Sequence, residues 1–308
     1  MILVVLTLIF SLLATNVSCQ TSDPSQRDIR IAGGGFANVG EFAHTVGLTT
    51  KASRGGFVFC GGALIAPYWV LTAGHCFSTY KANEMAIRVG TVTPQTDMSS
   101  GLTINAVQAF VHPLFNNKTL QNDVALIQLA EPVQENNSTI MYMNIESDPI
   151  PVNFWLWAAG YGHTENNGGL QKHLKKVQIP TVPGANCLRH GGFYSDQMIC
   201  AGLGDGRDTC SGDSGTSIVY KKKQTDVRWT GIGITSFGGA KCGGDGVLGT
   251  YTKISFHRRW INNQMSPSYF KNPTGDSLNY NWRSASTRVN FGWTSTLLSV
   301  LLFVLVSL

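Results

Sequence analysis

The stretch DTCSGDSGTSIV, Asp208 to Val219, sets one serine, Ser214, between Gly-Asp and Gly and then runs into a β-branched segment. Gly, Asp and Ser are the residues turns use in any case, so the turn alone fits an ordinary turn serine as well as a nucleophile. The flanking glycines point toward chemistry, because a residue without Cβ lets backbone N–H groups approach and face a substrate oxygen. TSIV beyond the turn begins a strand.

Outward from this turn the chain repeats one pattern: short runs rich in Val, Ile, Thr and aromatics, separated by turn residues. FVFCGGALIAPYWVLTA, MAIRVGTVT, LTINAVQAFVH, DVALIQLA, WLWAAGYG, LKKVQIPTV, TSIVY, WTGIGITSF and GTYTKI are all of this kind. With 34 glycines in 308 residues, many short strands imply an all-β sandwich or barrel. One stretch departs from the pattern: in FHRRWINNQM, Phe256 to Met265, the apolar positions Phe256, Trp260, Ile261 and Met265 recur at helical spacing. A C-terminal helix packed on the strands is expected there. A 43% apolar composition supplies an ample core and excludes a disordered chain.

Both ends read as addresses. Ile2 to Ala14 is an apolar run followed by small residues, shorter than the roughly 20 that a membrane span needs. Residues 1–19 are therefore expected to be a signal peptide, with the mature chain starting near Gln20 and secreted. Leu297 to Leu308 is apolar and too short to span. It fits the removable tail of a glycosylphosphatidylinositol signal better than a short uncleaved anchor. Ser284 to Ser286 offers small residues for attachment, Gly275 to Ser277 a second choice, and a spacer of about ten residues follows Ser286. Between them, residues 266–296 are rich in Ser, Asn and Thr and read as a flexible stalk.

The net charge of +5 is modest and dispersed, with no aromatic interleaving, so nucleic acid is not an expected partner. Of seven cysteines, Cys19 falls in the signal peptide. Cys60, Cys76, Cys187, Cys200, Cys210 and Cys242 remain, an even count that favours disulfides, although six cysteines permit 15 pairings. No close Cys-x-x-Cys or His-x-x-x-His spacing points to structural zinc. Asn117, Asn136 and Asn137 head glycosylation triplets and would mark exposed loops.

A serine nucleophile needs a base, and VLTAGHC places His75 just after a β-like run, beside a cysteine that a disulfide would fix. The base needs an orienting acid, and NDVALIQL presents Asp123 at the head of an apolar strand, where a buried carboxylate requires a partner such as a histidine N–H. Each is unremarkable alone. Together they have the logic of nucleophilic acyl transfer.

The motifs RIAGG (30–34), GGALIAPYWVLTAGHC (61–76), NDVALIQL (122–129), MICAG (198–202), DTCSGDSG (208–215) and SFG (236–238) stand in one order along the chain. In these the sequence resembles the trypsin-like serine proteases over residues 31–265. The resemblance implies two six-stranded antiparallel β-barrels with a C-terminal helix and a site in the cleft between the barrels. It makes Ser214 the nucleophile, His75 the general base and then acid, and Asp123 the group that orients the imidazole. It assigns the oxyanion hole to the N–H groups of Gly212 and Ser214, and a pocket for Arg or Lys to Asp208, Ser236, Gly238 and Gly249. It pairs Cys60 with Cys76, Cys187 with Cys200, and Cys210 with Cys242. Residues 20–30 become an activation propeptide: a cut after Arg30 would free the α-amino group of Ile31 to pair with Asp213. Expected partners are proteins or peptides with Arg or Lys before the cut bond, an activating protease and protein inhibitors. No cofactor is implied. The acidic pair of the family's calcium loop is not evident around Lys81 to Ser100, so no obligatory metal is expected.

The chain departs from the family pattern at five positions. Thr216 and Ser217 follow GDSG where the family has Gly-Pro, and a β-branched residue at 216 would be strained if the backbone there needed positive φ or a close approach. Phe237, Ala32 and Gly74 stand where Trp, Val and Ala are usual. The competing reading is a catalytically silent homologue acting as a binding or decoy module. Such a decoy commonly lacks a triad member, and none is missing here.

Overall fold

The computed structural model describes residues 34–51, 57–97, 99–145, 150–162, 172–189, 194–205, 209–210, 212–238 and 246–266. The expected signal peptide, propeptide and tail, and all of the expected stalk but Ser266, lie outside these residues, as do Arg30, Ile31, Asp208 and Cys242.

The first barrel is built from β2 (Thr45–Thr50), β3 (Val58–Ala66), β4 (Trp69–Thr72), β5 (Met85–Val89), β6 (Leu102–Val111) and β7 (Ala125–Leu129). Its strands close in the order β2-β3-β4-β7-β6-β5, every pairing antiparallel. Val46, Leu48, Leu64, Leu71, Ile87, Leu126 and Ile127 fill it, all fully buried. Closure leaves no unpaired sheet edge, which is how antiparallel sheets of this length avoid pairing with other chains.

The second barrel comprises β9 (Trp155–Gly160), β10 (Lys175–Val182), β11 (Met198–Ala201), β12 (Ser217–Tyr220), β13 (Thr230–Phe237) and β14 (Gly249–Lys253). They run β10-β11-β14-β13-β12-β9, and a β9–β10 pairing closes the ring. Leu156, Ile179, Ile218, Ile232 and Tyr251 form its core. Two short strands decorate it: β1 (Gly35–Phe36) on β10, and β8 (Asn144–Ile145) parallel to β13. The expected pair of six-stranded barrels with a C-terminal helix is what the chain forms.

Helix α1 (Gly184–Arg189) is one short segment after β10, and α2 (Ile254–Gln264) follows β14 directly. α2 begins two residues before the stretch read from sequence; Ile261, Trp260 and Met265 pack on the core as expected, and Phe256 does not. Ile254, His257 and Ile261 are its buried residues, whereas Phe256 is 52% exposed. The two isoleucines set the face. His257 can join them because hydrogen-bond partners await both ring nitrogens, Lys253 O at 3.0 Å and Asn122 Oδ1 at 3.2 Å.

Candidate active site

His75 stands on a short 3-10 turn, Gly74–Phe77, at the end of β4. The disulfide between Cys60 on β3 and Cys76 ties this turn to the barrel wall. Gly74 gives the turn room: a Cβ there would lie 3.2 Å from the Phe115 ring and 3.3 Å from Asp123 Oδ1. The departure from alanine at this position is matched by a phenylalanine packed where the methyl group would sit.

Asp123 is completely buried, and each of its carboxylate oxygens is held. Oδ1 accepts the backbone N–H of His75 at 2.8 Å, and Oδ2 lies 2.7 Å from His75 Nδ1. Oδ2 also accepts the Ser236 hydroxyl at 2.5 Å. A buried carboxylate is costly unless it is paired and hydrogen-bonded, and these three donors meet that requirement. They fix the imidazole so that Nδ1 faces the acid and Nε2 is the nitrogen left for a reacting group. The His75 side chain retains 21% exposure, enough to open on a cleft.

Ser236 was expected among the pocket residues, and its bond to Asp123 was not. No local sequence signal reveals that bond, because it spans 113 residues and joins β13 of the second barrel to the first.

Ser214 belongs to the turn leading into β12, and its carbonyl accepts the Gly61 N–H of β3 at 2.8 Å. Thr72 Oγ1 donates to the Gly61 carbonyl at 2.7 Å, so β3, β4 and the Ser214 turn are locked together. Gly212 and Gly215 have φ of 95° and 84°, the left-handed region where only glycine is at ease. A Cβ on Gly215 would also lie 2.2 Å from Thr72 Oγ1 and 2.4 Å from the Gly61 carbonyl oxygen. Backbone conformation therefore requires both glycines of the GDSG turn, and space requires Gly215 as well.

Thr216 escapes the first of the conditions that would strain it, positive φ, and the bare Gly61 accommodates the close approach that is the second. Its φ is not positive: among described non-glycine residues only Leu120, Asn122, Asn137 and Asn153 have positive φ. It is buried, its hydroxyl donates to the Asp213 carbonyl at 2.7 Å and lies 3.1 Å from Thr235 Oγ1, and its own carbonyl accepts Thr235 N–H at 2.7 Å.

Asp213 is buried in a niche made of glycines. Its Oδ1 accepts Gly162 N–H at 2.8 Å and its Oδ2 accepts Cys210 N–H at 2.9 Å. A Cβ on Gly160 would fall 2.0 Å from Oδ1, and one on Gly162 2.7 Å from the carboxylate. Of the expected pocket, Asp208 lies outside the described residues. Thr209 beside it is anchored, its hydroxyl 3.1 Å from Tyr251 OH on β14, the strand that begins with Gly249. Gly238 sits exposed just past the end of β13.

Cys187 and Cys200 form the second disulfide, and Cys210 is also disulfide-bonded, its expected partner Cys242 being outside the described residues. Cys60, His75 and Cys76 bring their donor atoms within 4.8 Å of one another, yet the two sulfurs are bonded to each other and are not thiolate ligands. Asn117, Asn136 and Asn137 are exposed. A separate cavity of about 290 Å³, lined by Ile150, Tyr194, Met198, Cys200, Ile232 and Lys253 among others, contains none of His75, Asp123, Ser214 and Ser236.

The arrangement sets an oriented imidazole from one barrel beside a serine turn from the other. The model of the trypsin family matches residues 31–261. The chain is similar to the vitellin-degrading protease of Bombyx mori, 31% identical over 244 residues that cover 78% of this chain and 87% of that protein. It is similar to serine protease 56 of Mus musculus, 32% identical over 261 residues, 82% of this chain and 42% of the relative. With the ovochymase of Halocynthia roretzi it shares 35% identity over 210 residues, 66% of this chain and 13% of that protein. The chain thus spans less than half the length of the last two. On the barrels, the site geometry and these matches, the chain belongs to the trypsin family of serine endopeptidases.

Proposed function

We propose that the protein is an endopeptidase made as a zymogen, secreted or tethered to the cell surface, that cleaves after Arg or Lys by a Ser214-His75-Asp123 acyl-enzyme mechanism. The observation that carries this reading is the three-donor hold on Asp123, which leaves His75 Nε2 as the free basic atom of an oriented ring.

In the first half-reaction Ser214 Oγ adds to the scissile carbonyl carbon while its proton passes to His75 Nε2. Asp123 stabilises the imidazolium without taking the proton. The N–H groups of Gly212 and Ser214 receive the negative oxygen, each donor of this kind contributing about 10² to 10³ in rate. Collapse breaks the C–N bond and the imidazolium returns its proton to the leaving amine. Water, deprotonated by His75, then adds to the ester, and Ser214 leaves with that proton. Asp208 supplies the carboxylate that selects a cationic side chain. Before activation the enzyme is silent; cleavage after Arg30 frees the Ile31 amine, which pairs with Asp213 in its glycine niche and orders the oxyanion hole.

The apolar segments 2–14 and 297–308 support secretion and a glycosylphosphatidylinositol anchor. No helix among the described residues is long and apolar enough to cross a membrane.

The decisive experiment cuts the secreted protein after Arg30 and offers a short arginyl amide. Hydrolysis that is lost in Ser214→Ala is expected; a folded, cleaved protein without it overturns the reading. Phosphatidylinositol-specific phospholipase should release the protein from cells, and continued retention would count against the lipid anchor.

A further inference from the structure

Next to Asp123 in the chain, Asn122 meets a second histidine in an arrangement that one neutral ring cannot satisfy. Asn122, the residue before Asp123, has φ of 53° and is gripped from three elements. Its N–H donates to Gln197 Oε1 at 3.1 Å, its Nδ2 donates to the Leu114 carbonyl at 3.0 Å, and its Oδ1 lies 3.2 Å from His257 Nε2 on α2. The other ring nitrogen, Nδ1, lies 3.0 Å from the Lys253 carbonyl.

The donors do not suffice when the ring is neutral. A neutral imidazole carries one N–H, and a carbonyl only accepts. With the proton on Nδ1, the Lys253 carbonyl is satisfied and the bare Nε2 faces Asn122 Oδ1, acceptor against acceptor. With the proton on Nε2, the bare Nδ1 faces the Lys253 carbonyl, acceptor against acceptor, and that carbonyl keeps only its helical N–H. Turning the carboxamide over gives Nε2 a donor and takes one from Leu114. Every neutral arrangement is one hydrogen bond short, and a second ring proton completes all of them.

We propose that His257 is a positioning residue for Asp123 acting through Asn122, and that a proton on its ring selects which way the Asn122 carboxamide faces. The inference rests on the reading of Asp123 as the group that orients His75.

The groups bearing on this ring are few. His112 meets it edge-on with centroids 5.3 Å apart, and its own Nδ1 accepts Leu114 N–H, so that nitrogen carries no proton. Asp123 favours the charged ring, and Lys253, Arg258 and Arg259 belong to its own helix or its cap. Burial pushes the pKa of His257 down to about 4; the Lys253 carbonyl opposes this, His112 adds to it and Asp123 opposes it. The ring is thus neutral at pH 7 and takes up its second proton in the acid range.

The test is a pH titration, from 7 to 3.5, of the whole secreted protein labelled with ¹⁵N at histidine and asparagine. The expected result is that the Asn122 carboxamide signals and the far-downfield His75 Nδ1–H signal shift with the same midpoint as the His257 ring. In His257→Gln, whose amide is a permanent donor, that common midpoint should vanish while the His75 signal persists. Across the midpoint the ratio of wild-type to His257→Phe kcat should change about 2- to 10-fold, the net worth of one hydrogen bond. Asn122 signals that ignore the His257 titration, a ring that stays neutral to pH 3.5, or a midpoint that survives in His257→Gln would each overturn the proposal. The wild-type titration needs no variant to fold. It also separates the two readings: loss of Ser214-dependent hydrolysis with the Asn122 shift intact removes only the proposed function, and hydrolysis without that shift removes only this inference.

Discussion

Thr216 occupies the space that Gly61 leaves open: a Cβ on Gly61 would lie 2.2 Å from Thr216 Cγ2. The residue that departs from the family pattern and the strand it meets are fitted to one another across the barrel interface. Gly61→Ala should therefore cost about 1–3 kcal/mol through overpacking. Combining it with Thr216→Gly should recover part of that loss, as a double-mutant cycle in denaturant would show. Simple additivity would contradict the fit.

Asp123→Asn keeps the volume of the side chain and replaces one carboxylate oxygen by an amide donor. It should leave the His75 ring in the wrong tautomer and lower kcat about 10⁴-fold. Ser236→Ala removes one of the three donors to the carboxylate and should cost far less, about 10-fold in kcat, the worth of one hydrogen bond to a charged group. Steady-state rates at saturating arginyl amide check both.

Stability should fall on the acid side for reasons traceable to buried histidines. Burial pushes the pKa of His44 down to about 3 and that of His257 down to about 4, from an ordinary 6.5. The unfolded chain then binds protons below about pH 6.5 that the folded chain refuses, so stability is complete above that pH and is lost as pH falls toward 4. His44→Phe should flatten this slope, reducing the wild-type loss between pH 7 and 4.5 by on the order of 2 kcal/mol. Guanidinium unfolding at the two pH values measures it.

The Cys187–Cys200 bridge closes a loop of sequence separation 13 and should contribute about 3 kcal/mol by restricting the unfolded chain. Replacing both cysteines by alanine should lower the unfolding free energy by that amount, read from the denaturation midpoint and its slope. His75 geometry, held by the separate Cys60–Cys76 bridge, should persist in the His75 Nδ1–H signal.

The strands were legible where Val, Ile and Thr run together, as in β7 and β13, because such runs fit a half-buried pleat. TVGLTT of β2 was passed over: its first five positions are buried, so it shows no alternation. MICA of β11 is only four residues long, and in α1 Cys187 alone is buried among the described side chains of Gly184 to Leu188. His75, Asp123 and the Ser214 turn were readable because each has a local motif. The Ser236 hydroxyl on Asp123 and the inward turn of His257 were not, since both depend on partners more than 100 residues away. The apolar spacing of α2 found Trp260, Ile261 and Met265 but added Phe256 and omitted His257, because spacing registers oiliness and is blind to a waiting hydrogen-bond acceptor.

The described disulfides lie within a barrel: Cys60–Cys76 in the first and Cys187–Cys200 in the second. The joints between barrels at the site are non-covalent: the hydrogen bonds from Gly61 N–H to the Ser214 carbonyl and from the Ser236 hydroxyl to Asp123, and the packing of Thr216 against Gly61. Covalent reinforcement thus guards each half, while their alignment rests on non-covalent contacts: these bonds and one apolar cluster that holds Leu71 and Leu126 of the first barrel with Tyr161 and Val219 of the second. On gradual heating, turnover should fade before circular dichroism registers any melting, and it should return on cooling with no re-formation of disulfides.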